Sequence, residues 1–213
     1  NEIGAFAPAN SVLIETEFLR TLDAYNFFSG YAEMLKHGLI SNTAHWVELL
    51  NFNTSNIDYT ALKQLVGQSV QVKENIVEQD PFEHGIRKAL NLGHTVGHAF
   101  ESMALAEERP VLHGYAVAWG IVCELYLSHL KVDFPKEKMR QTIQFIKDNY
   151  GVFTFDCKKY DQLYAFMTHD KKNTSGTINF TLLKDIGDIC INQTADKDII
   201  FEMLDFYREC MGI

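Results

Sequence analysis

The chain has 213 residues and a formal net charge of −9, with 46% hydrophobic and 22% charged residues, 4 prolines and 13 glycines. This length is enough to bury a core without disulfide staples, and the composition excludes disordered and collagen-like classes. The negative charge argues against nucleic acid or an anionic membrane as a partner, so an anionic ligand would need a local cluster of cations. The longest uncharged apolar stretch, residues 114–123, is too short for a membrane span.

The cysteines and the first residues exclude further classes. No C-x-x-C pair is present, so neither a zinc ribbon nor a thioredoxin-like motif is predicted. We expect reduced, buried thiols in a cytoplasmic protein. The chain begins at Asn1 without a signal peptide, and it contains no G-x-G-x-x-G fingerprint after a strand. We therefore interpret Asn1 as a fragment boundary and expect no Rossmann domain in this chain.

Helical periodicity runs through most of the sequence. Apolar residues recur at steps of three and four, and Asn56 and Asp58 supply N-cap residues for a long helix that ends before Asp80-Pro81. The stretch from His113 is apolar all round, which is typical of a buried helix. Besides the long helix that ends before Asp80-Pro81, the predicted helices span residues 17–50 (two or three helices), 85–105, 113–130, 135–150, 160–168 and 197–210, with a loop at 107–110.

Only near the C-terminus does the period change to two. Residues 177–183 and 189–192 alternate in polarity and flank the turn residues 184–188, which predicts a β-hairpin. The sequence shows no repeats and no internal linker. The predicted fold is therefore mainly α, a helical bundle-like domain over residues 1–213 with a small C-terminal β-hairpin.

One polar stripe stands out within the predicted helix 85–105. Arg87, Asn91, His94, His98 and Glu101 follow at intervals of four, three, four and three, so they share one helical face. Glycines inside a helix cost roughly 1 kcal/mol each relative to alanine. Gly93 and Gly97 therefore indicate a close approach by another backbone or by a ligand.

The same residues permit several metal-site interpretations. His94 and His98 have the spacing of a zinc-ligand pair, but Thr95 stands where an H-E-x-x-H motif needs its glutamate, so a metalloprotease is a poor fit. Glu33 could also combine with two imidazoles, and His113 is one candidate for them. Such a set gives a metal three protein ligands and leaves one coordination position open for water or substrate. Taken alone, however, Glu33 and Lys36 are better explained by an ordinary surface ion pair.

Two further cationic features have no assigned role on residue type alone. Lys73 lies on the long predicted helix and would pass for a surface lysine. Residues 169–176, which include Asp170, Lys171 and Lys172, form a compact charged turn that would ordinarily be a solvated loop.

Four motifs in order carry a family resemblance. They are G-x-A-E-x-x-K at 30–36, R-x-x-L-N-x-G-H-T-x-G-H-A-x-E at 87–101, H-G at 113–114 and D-K-K at 170–172. Together they resemble the 3-dehydroquinate synthase family, and residues 1–6 look like its K-N-x-x-G-A-F segment cut after the lysine. The resemblance covers the whole chain but only the C-terminal half of a family member. It implies a C-terminal α-helical metal- and substrate-binding domain without the family's N-terminal NAD-binding α/β domain.

The resemblance also implies roles for individual residues. The ligands of a zinc or cobalt ion would be Glu33, His94 and His113, which moves His98 from the metal to the substrate side. The catalytic positions would be His98, Lys36 and Asn91. The substrate-binding positions would be Asn1, Lys73, Arg87, Lys171 and Lys172.

The implied activity is that of a carbon–oxygen lyase of the shikimate pathway, which serves aromatic amino acid biosynthesis. It converts 3-deoxy-D-arabino-heptulosonate 7-phosphate to 3-dehydroquinate and phosphate by transient oxidation with NAD, phosphate elimination, reduction and aldol cyclisation. The resemblance further implies a cytoplasmic homodimer that binds a phosphorylated sugar acid. Because the NAD-binding domain is absent, we expect no turnover from this chain alone.

Three alternatives remain open at this point. A related sugar-phosphate cyclase of the inosose or valiolone synthase type would share the metal site. A metal-dependent polyol dehydrogenase would not need the Lys171-Lys172 anion site. A non-enzymatic helical domain would leave Glu33, His94 and His113 scattered. His37 could be an extra weak ligand or a polar neighbour, and the loop at 107–110 could shift His113.

Overall fold

The computed structural model describes residues 10–169 and 177–213. Helices dominate this part of the chain, as predicted, and two antiparallel strands form the expected hairpin. The elements are a 3₁₀ segment Thr16–Thr21, α1 Ala24–Ser41, α2 Thr43–Asn51, α3 Tyr59–Gln79, a 3₁₀ segment Ile86–Asn91, α4 His94–Ala106, α5 His113–Val132, α6 Lys136–Tyr150, a 3₁₀ segment Cys157–Lys159, α7 Tyr160–Thr168, β1 Asn179–Asp185, β2 Asp188–Thr194 and α8 Lys197–Met211.

Side-chain caps explain where several helices begin. The Asp58 carboxylate accepts hydrogen bonds from the backbone N–H groups of Thr60 and Ala61, which confirms the predicted start of α3. Asp23, Asn42 and Asp196 cap α1, α2 and α8 in the same way. Each cap satisfies N–H groups that have no partner inside the helix.

The predicted continuous helix from Gly85 to Leu105 is wrong. The chain instead forms a 3₁₀ segment to Asn91 and then passes through Gly93 at φ +78° before α4 starts at His94. A left-handed residue ends the helical path, and periodicity alone cannot show this break. Arg87 and Asn91 therefore do not share one helix face with the two histidines, although all four remain in one region of the molecule.

Asp80 organises the segment ahead of that break. Its carboxylate accepts hydrogen bonds from the N–H groups of His84, Gly85 and Arg87 at 3.0, 2.7 and 3.1 Å. One side chain thus satisfies three backbone donors and holds the turn between α3 and the 3₁₀ segment. This turn sets the position from which the Arg87 side chain leaves the backbone.

Helix α5 is the centre of the molecule. It is buried along most of its length, as its apolar composition predicts, and it packs on α1, α4, α6, α8 and β1. Its glycines let other backbones come close, because a Cβ on Gly120 would lie 2.0 Å from the Gly93 carbonyl oxygen, and one on Gly114 would lie 1.8 Å from that of Ser29. The close approach by another backbone that Gly93 and Gly97 predicted is therefore confirmed.

The hairpin pairs Leu182 with Cys190 and Asp185 with Asp188. The register of β1 is irregular just before Leu182 and just after Leu183. Its turn contacts the end of α1, where the Gly187 N–H donates to the Leu39 carbonyl oxygen at 2.9 Å. None of the described helices is both long enough and apolar enough to cross a membrane.

The four cysteines all lie in the described part of the chain and are free thiols. Cys123 is buried, as expected, but Cys157 is exposed and the other two are partly exposed. The expectation of buried thiols is therefore wrong for these positions. Cys157 is the first residue of a short 3₁₀ segment at the surface, and no residue of that segment is buried.

Candidate metal and substrate site

Three helices bring one carboxylate and two imidazoles together. Glu33 projects from α1, His94 is the first residue of α4, and His113 is the first residue of α5. Glu33 Oε1 lies 3.4 Å from His94 Nε2 and 3.5 Å from His113 Nε2. One ligand atom from each of the three residues therefore falls within 4.8 Å of the others, which is the spacing of a metal-binding group.

The charges of this group are coupled. Burial opposes ionisation of Glu33, but His113, His94 and Lys36 outweigh burial and hold the pKa of this carboxyl below its usual range. Burial lowers the pKa of His94. The carboxylates of Glu101 and Glu33 raise the pKa of His113 to about 9. A divalent cation that binds here would displace the His113 proton, since a ligating imidazole must be neutral.

Each histidine is oriented through its other ring nitrogen. His113 Nδ1 lies 3.1 Å from Glu101 Oε2, and His94 Nδ1 lies 3.1 Å from the Leu92 carbonyl oxygen. Both contacts leave Nε2 directed at Glu33. Pairing of the second imidazole nitrogen with a carboxylate or carbonyl is the usual arrangement around a metal-bound histidine.

Glu33 itself fits a metal ligand better than a surface ion pair. Lys36 is only 3% exposed, and its Nζ lies 2.5 Å from Glu33 Oε2. The other oxygen, Oε1, is buried and has no hydrogen-bond partner among the described residues. A buried carboxylate oxygen without a partner, facing two imidazole nitrogens, fits a zinc or cobalt ion, which takes nitrogen and oxygen donors in this combination.

A polar cavity of about 460 Å³ opens beside the three ligand residues. Lys36, Lys73 and Arg87 contribute positive charge to its lining, and Asn91 and Glu83 contribute polar groups. In a chain with an overall negative charge, this local cluster supplies the cations that an anionic ligand needs. Lys73 is exposed, as its sequence context suggested, and it also lines this cavity.

The cationic side of the cavity is held by the turn after α3. The Arg87 guanidinium donates to the Pro81 carbonyl oxygen, and Asn91 Nδ2 donates to Glu83 Oε1 at 2.7 Å. Both acceptors lie in the segment that the Asp80 carboxylate organises. The side chains of the 3₁₀ segment thus reach the cavity even though they do not continue the face of α4.

Most of the candidate residues come together, and some lie outside the described part. His98 is one turn along α4, with its ring centroid 5.4 Å from that of His94 and 5.9 Å from that of His113. It groups with Glu101 and His113 instead of forming a ligand pair with His94, so the spacing-based zinc pair is wrong. Asn1, Lys171 and Lys172 are outside the described residues.

Several residues around the site were not assigned by sequence. Glu101 was visible in the polar stripe, but its contact with His113 crosses from α4 to α5. Glu124 is fully buried in α5, and a charged residue in an apolar helix was the signal that could have found it.

His37 is a polar neighbour of the site, because its Nδ1 lies 2.6 Å from Ser69 Oγ. The loop at 107–110 leaves His113 in contact with the other two ligand residues.

A carboxylate and two imidazoles that could hold a metal ion thus lie beside a cavity that Lys36, Lys73 and Arg87 line. The profile of the 3-dehydroquinate synthase C-terminal domain matches residues 30–173. The chain belongs to the 3-dehydroquinate synthase family.

Two curated relatives illustrate the likeness in sequence. The chain is 58% identical over 213 residues to the 3-dehydroquinate synthase of Parabacteroides distasonis, covering 100% of this chain and 60% of that protein. It is 37% identical over 212 residues to that of Oceanobacillus iheyensis, covering 99% of this chain and 58% of that protein. The chain thus spans about 60% of the length of these relatives.

Solved structures show the same fold at low sequence identity. A 2-epi-5-epi-valiolone synthase from Streptomyces hygroscopicus, with NAD+ and Zn2+ bound, superposes with a TM-score of 0.80 at 21% identity, covering 98% of this chain and 58% of that one. A 2-deoxy-scyllo-inosose synthase, complexed with carbaglucose-6-phosphate, NAD+ and Co2+, gives 0.78 at 20% identity with the same coverage of 98% and 58%. These likenesses establish the fold of the described helices.

Proposed function

We propose that this chain is the metal- and substrate-binding part of a 3-dehydroquinate synthase, which converts 3-deoxy-D-arabino-heptulosonate 7-phosphate to 3-dehydroquinate and phosphate. The observation that carries the proposal is Glu33 Oε1, buried without a hydrogen-bond partner among the described residues and facing two imidazole nitrogens. The cationic cavity beside it suits a substrate with a carboxylate and a phosphate.

Glu33, His94 and His113 would hold a zinc or cobalt ion. When bound, the ion supplies Lewis-acid stabilisation of negative charge on a substrate oxygen. Lys36 neutralises Glu33 through Oε2 and leaves Oε1 directed at the two imidazoles. Glu101 and the Leu92 carbonyl keep both rings in the orientation that presents Nε2.

The remaining residues would bind and orient the substrate. Lys73 and Arg87 would neutralise its two anionic groups, together with Lys171, Lys172 and Asn1, whose placement the structure does not describe. Arg87 is anchored at Pro81, so its position is set before a ligand binds. Asn91 and His98 would orient the phosphate end, and Lys36 would lie between the ligand and Glu33. NAD would bind mainly to a separate α/β domain in a cytoplasmic homodimer.

The 58% identical relative named 3-dehydroquinate synthase favours this activity over the inosose and valiolone cyclases, which share the fold at about 20% identity. The substrates separate the two possibilities chemically. A cyclase that acts on a plain sugar phosphate needs cations for one anionic group, whereas the sugar acid phosphate needs cations for two. Lys73 and Arg87 support the second case, since Lys36 is already paired with Glu33.

Metal content tests the ligand set directly. We expect one equivalent of zinc or cobalt in the purified chain by mass spectrometry, and loss of the metal in both His94→Ala and His113→Ala. His129→Ala is the matched control, because His129 is also on α5 but bonds to the Phe134 carbonyl away from the site. Retention of metal in both ligand variants would refute the assignment.

Calorimetry tests the anion site on the zinc-loaded chain. We expect 3-deoxy-D-arabino-heptulosonate 7-phosphate to bind more tightly than glucose 6-phosphate, and Lys73→Ala to weaken its binding about tenfold or more. Lys63→Ala is the control, since Lys63 is an exposed lysine on the same helix. Equal binding of both sugars would favour a cyclase for a plain sugar phosphate. Formation of product by this chain with NAD would refute our expectation that it has no turnover alone.

A further inference from the structure

The N-terminus of α4 carries a metal-ligand candidate but has no cap of its own. The N-cap residue is Gly93, which has no side chain, and His94 follows it directly. A capping side chain cannot be placed at this position, because a Cβ on Gly93 would lie 2.6 Å from Ile121 Cγ1 and 2.8 Å from the Val117 carbonyl oxygen. The N–H groups of the first turn therefore need an acceptor from another element.

Glu124 supplies that acceptor from α5. Its carboxylate accepts hydrogen bonds from the Gly93 N–H at 2.6 Å and from the Val96 N–H at 3.2 Å. The side chain is 0% exposed, so these bonds form away from water. Burial of a carboxylate is costly without such partners, and the positive end of the α4 dipole favours it here.

This contact joins two of the elements that carry ligand candidates. Glu124 and His113 are both on α5, and the two N–H groups flank His94 on α4. The carboxylate thus fixes the backbone of His94 relative to the helix that carries His113. The ring of His94 is oriented from the same segment, since its Nδ1 contacts the Leu92 carbonyl oxygen.

We propose that Glu124 is a positioning residue for the metal site: by capping α4 from α5 it places His94 at the distance from His113 that one ion requires. It does not touch the ion or the substrate. The proposal rests on the proposed metal site of Glu33, His94 and His113. The proposal gives a function to a buried charged residue whose burial would otherwise only lower the stability of the folded protein.

The test is metal binding by Glu124→Gln, which keeps the shape of the side chain but removes its charge and one acceptor oxygen. We expect the dissociation constant for zinc to rise 10- to 100-fold, the range typical of changes behind a metal ligand. The absorption bands of the cobalt-loaded chain, which report ligand geometry, should shift in position or intensity. Circular dichroism should show an unchanged helix content.

Ser128→Ala is the matched control. Ser128 is also fully buried on α5, one turn from Glu124, and its hydroxyl bonds to the Glu124 carbonyl oxygen and the Leu183 N–H. Its loss removes buried hydrogen bonds without touching α4. We expect Ser128→Ala to have the same zinc affinity and the same cobalt spectrum as the wild type, even if the variant is less stable. A Glu124→Gln variant that matches the wild type in affinity and spectrum would overturn the positioning role.

A second measurement needs no variant, in case Glu124→Gln fails to fold. If capping and metal binding are coupled, zinc must slow hydrogen exchange at the Gly93 and Val96 amides more than at the Leu183 amide, because linkage is reciprocal. Equal slowing at all three amides would overturn the proposal. Failure of the wild-type chain to bind zinc would overturn the metal site and the positioning role together, whereas normal binding with an unaffected Glu124→Gln overturns the positioning role alone.

Discussion

Replacement of Gly120 by alanine tests the packing that places the two histidines. The added Cβ would lie 2.0 Å from the Gly93 carbonyl oxygen and 2.8 Å from the Gly97 nitrogen. Both neighbours are backbone atoms of the α4 region, so no side chain can rotate away. Since real Cβ contacts essentially never fall under 3.0 Å, α4 and α5 must separate by about 1 Å at this point.

The expected loss of stability follows from two opposing effects. Alanine gains roughly 1 kcal/mol over glycine in a helix interior, while overpacking against backbone costs about 3 kcal/mol, the upper end of the usual range. The net destabilisation of about 2 kcal/mol corresponds to a fall in Tm of roughly 4–8 °C for a chain of this size. A shift of about 1 Å between His94 and His113 also exceeds the ~0.2 Å tolerance of metal–ligand distances, so zinc affinity should fall.

Urea unfolding and zinc titration measure these two effects. Gly67→Ala is the control, because apart from the neighbouring backbone of α3 itself no described atom lies within 4 Å of a Cβ at that position. We expect this variant to be as stable as the wild type or more stable, with normal zinc affinity. If Gly120→Ala behaved like Gly67→Ala in both assays, the close contact between α4 and α5 would not be what holds the site.

The remaining predictions concern neighbours of the site and the thiols. Burial and the charge of Lys36 lower the pKa of His37 to about 3, so the protein should lose stability as the pH falls from about 6.5, by up to about 1.4 kcal/mol per pH unit. His37→Gln should reduce this slope in urea unfolding at several pH values and leave the part that His45 and His94 contribute, since burial lowers their pKa values too. Glu101→Ala should weaken zinc binding about tenfold through His113, and unchanged affinity would contradict the contact. Exposed Cys157 should react with a thiol reagent in the folded chain and buried Cys123 only after unfolding, which peptide mass spectrometry would show.

The sequence predicted the helices whose boundaries depend on local chemistry. Asp58 caps α3 and Asp80-Pro81 ends it, and both signals lie within a few residues of the boundary they define. The all-apolar pattern from His113 likewise identified α5 as the buried helix. The hairpin followed from alternation in polarity, although β1 lies two residues further along the chain than predicted, and β2 begins one residue earlier and ends two residues later.

The break at Gly93 could not be predicted from the same signals. The polar stripe keeps helical spacing across it, and glycine is compatible with both a helix and a left-handed turn. At this point α5 lies against the turn: a Cβ on Gly93 would lie 2.8 Å from the Val117 carbonyl oxygen, and the Glu124 side chain of α5 supplies the cap. Such contacts join residues that are far apart in sequence. Local patterns in a single sequence do not reveal them.

For the candidate site, spacing within a helix and motif resemblance predict different ligand sets. His94 and His98 have ideal spacing on α4, yet the group around Glu33 takes His113 from another helix. Only the three-dimensional structure shows which imidazole nitrogens face the buried carboxylate oxygen.

The glycine contacts of α5 divide the cavity wall into a stiff and an adaptable part. Where Gly114 meets Ser29 and Gly120 meets Gly93, backbone lies directly on backbone, and no layer of side chains can deform between them. Helix α3 instead packs on α1 through side chains such as Leu62 and Leu65. In the proposed site, Lys73 would extend from the helix that packs through side chains, whereas the ligand triad would stand on helices held together by backbone contacts. Substitutions in the α3 layer would then alter ligand binding before they alter the spacing of the metal ligands.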